Sequence, residues 1–135
     1  MNLLVVIVIM TQSGLKILIV EDDKLIATVL KIHIANLEHE VVDIVTTGEE
    51  AVDVCKTIKP DVVVMDINLA GKLNGIEAAA QIQAAIETQI VYISGDDAEL
   101  LFNTFDQLTP DNYLCKPILK DPLARNISKV LKKAI

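Results

Sequence analysis

Short unbroken apolar runs alternate along this chain with longer stretches whose apolar residues recur every three or four positions. Ile17-Leu18-Ile19-Val20, Val62-Val63-Val64-Met65 and Ile90-Val91-Tyr92-Ile93 are the clearest runs, and residues 41–45 and Tyr113-Leu114-Cys115 are weaker ones. Runs this short, bounded by turn residues, read as buried strands, and the spacing predicts strands over 16–20, 41–45, 61–65, 90–93 and 113–115. Between them the period changes. Leu25, Ile26, Val29, Leu30, Ile32, Ile34 and Leu37 form a helical stripe over 24–37. Ala51, Val52, Val54, Cys55 and Ile58 mark one face of a helix over 49–58, which Pro60 closes. A loop containing Gly71 and Gly75 leads to an Ala-rich helix over 76–86.

The last two helices carry local start signals. Asp96 and Glu99 have capping-box spacing, with Asp in the usual Ser or Thr place, and open a helix running to 106. Asp121 before Pro122 fits an N-cap with Pro at the first helical position, and Lys132-Lys133 suit that helix's C-terminus. Strand and helix alternate five times, so the expected fold is a parallel α/β sandwich. Right-handed crossovers place helices on both faces of one five-stranded sheet.

Four of the five strand runs stop on a polar residue of phosphoryl chemistry. The first enters Glu21-Asp22-Asp23, the third Asp66, the fourth Ser94 and the fifth Lys116-Pro117. In a parallel sheet these stops gather at the carboxyl edge, where open α/β sheets bind ligands. Asp66 there is a candidate nucleophile toward phosphorus, although a lone Asp after a strand more often caps a turn. Glu21 and Asp22 repel unless a cation neutralises them, and Mg²⁺ takes one or two carboxylates, waters and phosphate oxygens. Asp23 reads as a helix N-terminal acid. Ser94 offers a hydroxyl that can donate to a phosphoryl oxygen. Lys116 needs an anionic partner or solvent, and could pair first with Asp66 and afterwards with its phosphate. Pro117 makes the Lys116–Pro117 bond a candidate for the cis form.

Composition narrows the classes. At 135 residues, with 52% hydrophobic, the chain fits one domain with a full core. Aromatics are 3% and Trp is absent, so that core is built from Val, Ile, Leu and Ala. A net charge of -7 argues against general affinity for nucleic acid phosphates. Cys55 and Cys115 lack metal or disulfide spacing, and both are expected as buried thiols in a reducing cytoplasm. His33 and His39 have no Cys or third His near them. The apolar stretch 3–10 is far short of the roughly 20 residues that span a bilayer. It also lacks the basic flank and cleavage site of a signal peptide. Met10 reads as an alternative start, leaving 1–9 as an extension; an extra edge strand is the other reading.

Val-Glu-Asp-Asp, Val-Met-Asp-Ile, Ile-Ser-Gly and Tyr-Leu-Cys-Lys-Pro, taken together and in order, resemble the signature positions of bacterial and archaeal response regulator receiver domains. The resemblance covers 15–135, leaving 1–14 as an N-terminal extension. It implies a flavodoxin-like (βα)5 fold with strand order 2-1-3-4-5 and Mg²⁺-dependent phosphorylation of Asp66 by a partner histidine kinase or phosphotransfer protein. It further implies Glu21 and Asp22 as metal acids with Asp66 and the Asn68 backbone carbonyl. Ser94 would be the switch hydroxyl, Tyr113 the switch aromatic and Lys116 the phosphate-contacting lysine. Asn68 and Asp96 stand where the family tunes phosphate lifetime. Departures are Glu for the first Asp, Ser for the commoner Thr, and a longer loop after Asp66 without its usual Pro.

The implied protein is a cytoplasmic single-domain receiver that binds neither membrane nor nucleic acid. It would signal by protein–protein contact through its last two helices, with homodimerisation on phosphorylation a family expectation. It would be no enzyme beyond assisting its own phosphorylation and dephosphorylation. An aspartyl-phosphate phosphatase or phosphotransferase is the alternative, but those enzymes want an acid just past the nucleophile, where Asn68 stands. A flavodoxin-like nucleotide binder would want a phosphate loop after the first strand, where three acids stand instead.

Overall fold

The computed structural model describes residues 13–134. Five strands, β1 (Lys16–Val20), β2 (Glu40–Val45), β3 (Val62–Asp66), β4 (Gln89–Ser94) and β5 (Tyr113–Cys115), alternate with five helices. The helices are α1 (Lys24–Asn36), α2 (Gly48–Ile58), α3 (Gly75–Ala85), α4 (Ala98–Thr104) and α5 (Lys120–Ala134). All strand pairs are parallel and the order is β2-β1-β3-β4-β5, the flavodoxin-like order expected. Residues 1–12, on which the alternative start and the extra strand fall, lie outside the described residues.

Alternation along the strands divides the core in two. Ile17, Ile19, Val62, Val64, Val91 and Ile93 pack with Leu30 and Ile34 of α1 and Leu123, Ile127 and Val130 of α5. Leu18, Val20, Val63, Met65, Ile90 and Tyr92 face α2, α3 and α4. The central strands are buried on both sides, which is why their sequence runs are continuous. Phe102 and Phe105 are half-buried and pack against the second of these clusters.

Several local expectations shift. Leu25, Val29 and Ile32 of the α1 stripe are exposed, and burial falls on Ala27, Leu30 and Ile34. Asp97, one residue later than expected, caps α4 through the Glu99 amide; the Asp96 carboxylate turns to Asn68 instead. Asp121 lies inside the first turn of α5, which opens at Lys120. Cys55 is buried as expected, and burial pushes its thiol up to about 11. Cys115 is exposed, because β5 is an edge strand whose alternate residues leave the core. The Lys116–Pro117 bond is cis.

Candidate functional site

The strand order reverses between β1 and β3, and the carboxyl ends of these neighbours meet at that switch point. Val20 pairs with Met65 in the register, so Glu21-Asp22 and Asp66 emerge side by side. One carboxylate oxygen each from Glu21, Asp22 and Asp66 lie within 4.8 Å of one another. Glu21 and Asp66 are buried, and Asp22 is open to solvent.

Lys116 closes the cluster from the end of β5. Its Nζ donates to Glu21 Oε1 at 3.1 Å and Oε2 at 3.3 Å, and to Asp66 Oδ2 at 3.2 Å. The expected Asp66 pairing is there, and a Glu21 pairing that the sequence did not announce is added to it. Burial, then the adjacent Asp66 carboxylate, hold the Glu21 carboxyl well above the usual carboxylate range despite Lys116. For Lys116 burial works against the charge, yet the Asp66 and Glu21 carboxylates outweigh it and raise its pKa. Three acids against one ammonium leave a net demand for cationic charge. Hard oxygen donors in this number suit Mg²⁺, so the donor set fits that ion.

The remaining residues close over Asp66 from β3 and β4. Asn68 donates its backbone N–H to Asp66 Oδ1 at 3.1 Å. Its side-chain amide reaches Ser94 Oγ at 3.3 Å and Asp96 Oδ2 at 2.8 Å, joining the loop after β3 to the loop after β4. Ser94 is fully buried, and its Oγ also accepts from the Asp96 N–H at 3.0 Å. Tyr113 is buried with its ring already turned inward. Its hydroxyl donates toward the carbonyls of Ser94 (3.4 Å) and Asp96 (3.3 Å), and its ring meets Phe102 edge-on at 5.5 Å. Asp23 caps α1, accepting from the amides of Leu25 and Ile26, and takes no part in the acid cluster.

Two features escaped the sequence. Asn74 and Glu77 form the capping box of α3, an Asn-x-x-Glu signature that was there to be read. Glu49 of α2 takes two amides of the loop after Asp66, from Lys72 and Leu73, a contact that no local pattern announces. His33 and His39 serve the backbone instead, at Ile118 O and Leu15 N.

Known proteins are similar to this chain in sequence and fold. The family model described as the response regulator receiver domain matches residues 17–128. The alkaline phosphatase synthesis transcriptional regulatory protein PhoP of Bacillus subtilis is 33% identical over 122 residues, 88% of this chain and 49% of that protein. A protein-glutamate methylesterase/protein-glutamine glutaminase of Nitrosospira multiformis is 40% identical over 98 residues, 70% of this chain and 27% of that protein. The chain therefore spans about half or less of these relatives. The solved signal receiver domain of a modulated diguanylate cyclase from Desulfovibrio desulfuricans superimposes with a TM-score of 0.81 at 34% identity. That match covers 90% of this chain and 96% of the other. The response regulator PhyR of Brucella abortus gives 0.80 at 28% identity, covering 98% and 54%.

Proposed function

This chain belongs to the response regulator receiver domain family of two-component signalling, and from that premise we propose that Asp66 is its phosphoacceptor. Residues 15–135 would form the receiver, with 1–14 as an extension. A histidine kinase or phosphotransfer protein in the cytoplasm would supply the phosphoryl group. The observation that carries this reading is the Lys116 ammonium held between Glu21 and Asp66 at the carboxyl edge of the sheet.

A carboxylate oxygen of Asp66 attacks phosphorus, forming an O–P bond as the P–N bond of phosphohistidine breaks. Glu21, Asp22, Asp66 and the Asn68 carbonyl would hold Mg²⁺, which when bound neutralises charge on the phosphoryl oxygens. Lys116 stays on the Asp66 side and pairs with the charge wherever it moves. Ser94 gives up its contacts with Asn68 and the Asp96 amide to donate to the phosphoryl group. The Ser94 and Asp96 carbonyls that receive the Tyr113 hydroxyl shift with it, and α4 and α5 change the surface they show. Asn68 and Asp96, joined across the mouth of the site, would limit how fast water reaches the acyl phosphate. The enzyme reading loses ground, because Asn68 is committed to Ser94 and Asp96 and carries no acid.

Mg²⁺ binding gives a direct test. At a hundred times its dissociation constant the ion should stabilise the chain by about 2.7 kcal/mol, on the order of 10 °C in Tm for this length. Asp22→Ala should lose most of that shift. Equal shifts in both proteins would remove Asp22 from the metal set, and no shift in either would remove the metal.

The docking face for the phosphodonor is the exposed α1 stripe. Leu25 is 74%, Ile32 53% and Leu119 62% exposed. Leu25 and Val29, with Lys116, Pro117 and Ile118, border a groove of about 410 Å³ that ends at the site. Apolar surface of this kind fits the apolar face of a partner helix. Leu25→Glu should slow transfer from any phosphorylated histidine kinase that labels the wild type, and leave labelling by acetyl phosphate intact. Equal slowing with both donors would place Leu25 in the chemistry and refute a docking role.

A further inference from the structure

The loop after Asp66 is held at three places. At its start Asn68 bonds to Asp66, Ser94 and Asp96. At its end the Asn74–Glu77 capping box fixes the entry to α3. Between them, the Glu49 carboxylate accepts from the Lys72 N–H at 2.9 Å and the Leu73 N–H at 2.7 Å through one oxygen, Oε1. Its other oxygen lies against Gly71, where a Cβ would stand 2.9 Å away. Gly71 has φ +103°, which aims the following amides into the concavity that Glu49 fills. Gly48 adds a second, apolar tie: a Cβ there would stand 3.0 Å from Leu73 Cβ. The N-terminus of α2 is thus docked on the middle of the loop by one ionised acceptor and one close packing contact.

Nothing in the family signature calls for this clamp, and the loop is the segment that departs from the commoner receiver pattern. We propose that Glu49 is a positioning residue for the phosphoacceptor site, acting through the loop it clamps to set the Asn68 backbone against Asp66. This rests on the reading of Asp66 and Asn68 as parts of an Mg²⁺ site. One Glu49 oxygen accepts both loop amides, at 2.9 and 2.7 Å, so truncating this side chain releases both at once. With the clamp gone, Leu69–Leu73 would hang between its ends, and Asn68 would sample positions away from Asp66. The amide bonds from its own backbone, then from Leu73, also keep the Glu49 carboxyl below its ordinary range, so it remains an acceptor at neutral pH.

The test is Mg²⁺ titration calorimetry on the full chain, paired with urea denaturation in EDTA. Glu49→Ala should bind Mg²⁺ about tenfold more weakly, the low end of the cost of removing an outer partner of a metal site. Glu49→Gln keeps a carbonyl acceptor for both amides and should recover most of the affinity. Gly71→Ala crowds the same carboxylate and should weaken binding without touching Glu49. Wild-type affinity in Glu49→Ala would overturn the proposal. So would equal weakness in the Gln variant, since the charge at the start of α2 would then be responsible rather than the clamp. A wild type that binds no Mg²⁺ would overturn the metal reading itself, which keeps the two failures apart.

Discussion

Asp66→Asn should take up no phosphate from labelled acetyl phosphate, while the wild type forms a base-labile acyl phosphate in the presence of Mg²⁺. The amide cannot attack phosphorus, and the remaining acids are badly placed to replace it. Glu21 is buried with both oxygens on Lys116. Asp22 is exposed and has no ammonium beside it among the described residues. The same substitution should leave stability in EDTA no lower than the wild type's, because it removes one of two buried carboxylates that share a single ammonium. A site kept for stability would behave the other way and weaken the fold. Full-level base-labile label in the variant would sink Asp66 as the acceptor, and a large drop in the urea midpoint would sink the account of the charges.

Gly75→Ala should cost about 3 kcal/mol or more, at or above the top of the usual range for overpacking. Gly75 opens α3, and its N–H donates to Ile67 O at 2.9 Å. A Cβ there would overlap the Asp66 carbonyl oxygen, 2.8 Å from Ile67 Cα and 2.9 Å from the Asp66 carbonyl carbon. The obstacles are backbone atoms at the end of the strand that carries Asp66, so no side chain can swing away. The helix-propensity gain of Ala over Gly, about 1 kcal/mol, is too small to offset this. Gly95 supplies the control. A Cβ there meets nothing within 4 Å, so Gly95→Ala should stay within about 0.5 kcal/mol. Urea midpoints that fall together in both variants would contradict the packing argument.

The strands were legible because β1, β3 and β4 are buried on both faces and their runs end at one edge, while their order followed from the resemblance to receiver domains. Topology then brought Asp66, Glu21, Asp22, Ser94 and Lys116 together without further information. What failed to show in the chain was of two kinds. Some signals were ambiguous at single-residue scale: Asp96 read as the cap of α4, Asp97 beside it is the same residue type, and only the fold decides between them. Apolar period alone could not say whether Leu25 and Ile32 face the core or the solvent, since the same spacing serves either. Other features depend on contacts remote in sequence. Lys116 meets Glu21 across 95 positions and Glu49 meets Leu73 across 24, distances over which no periodicity carries information.

The helix α4 has seven residues, and Leu101 is the one it buries. Phe102 adds an edge contact to Tyr113, and Leu100 stands in solvent at 62% exposure. Few apolar contacts mean a small local opening free energy, so this segment belongs at the low end of the molecule's stability range. To turn a two-state element from 1:99 to 99:1 takes about 5.5 kcal/mol. A handful of charge-assisted hydrogen bonds around one phosphoryl group is of that order, and the full sheet would be far beyond it. The shortness of α4 would therefore match the proposed signal to its lever: beside a stiff frame, only as much helix is loosely held as one covalent bond on Asp66 could re-seat.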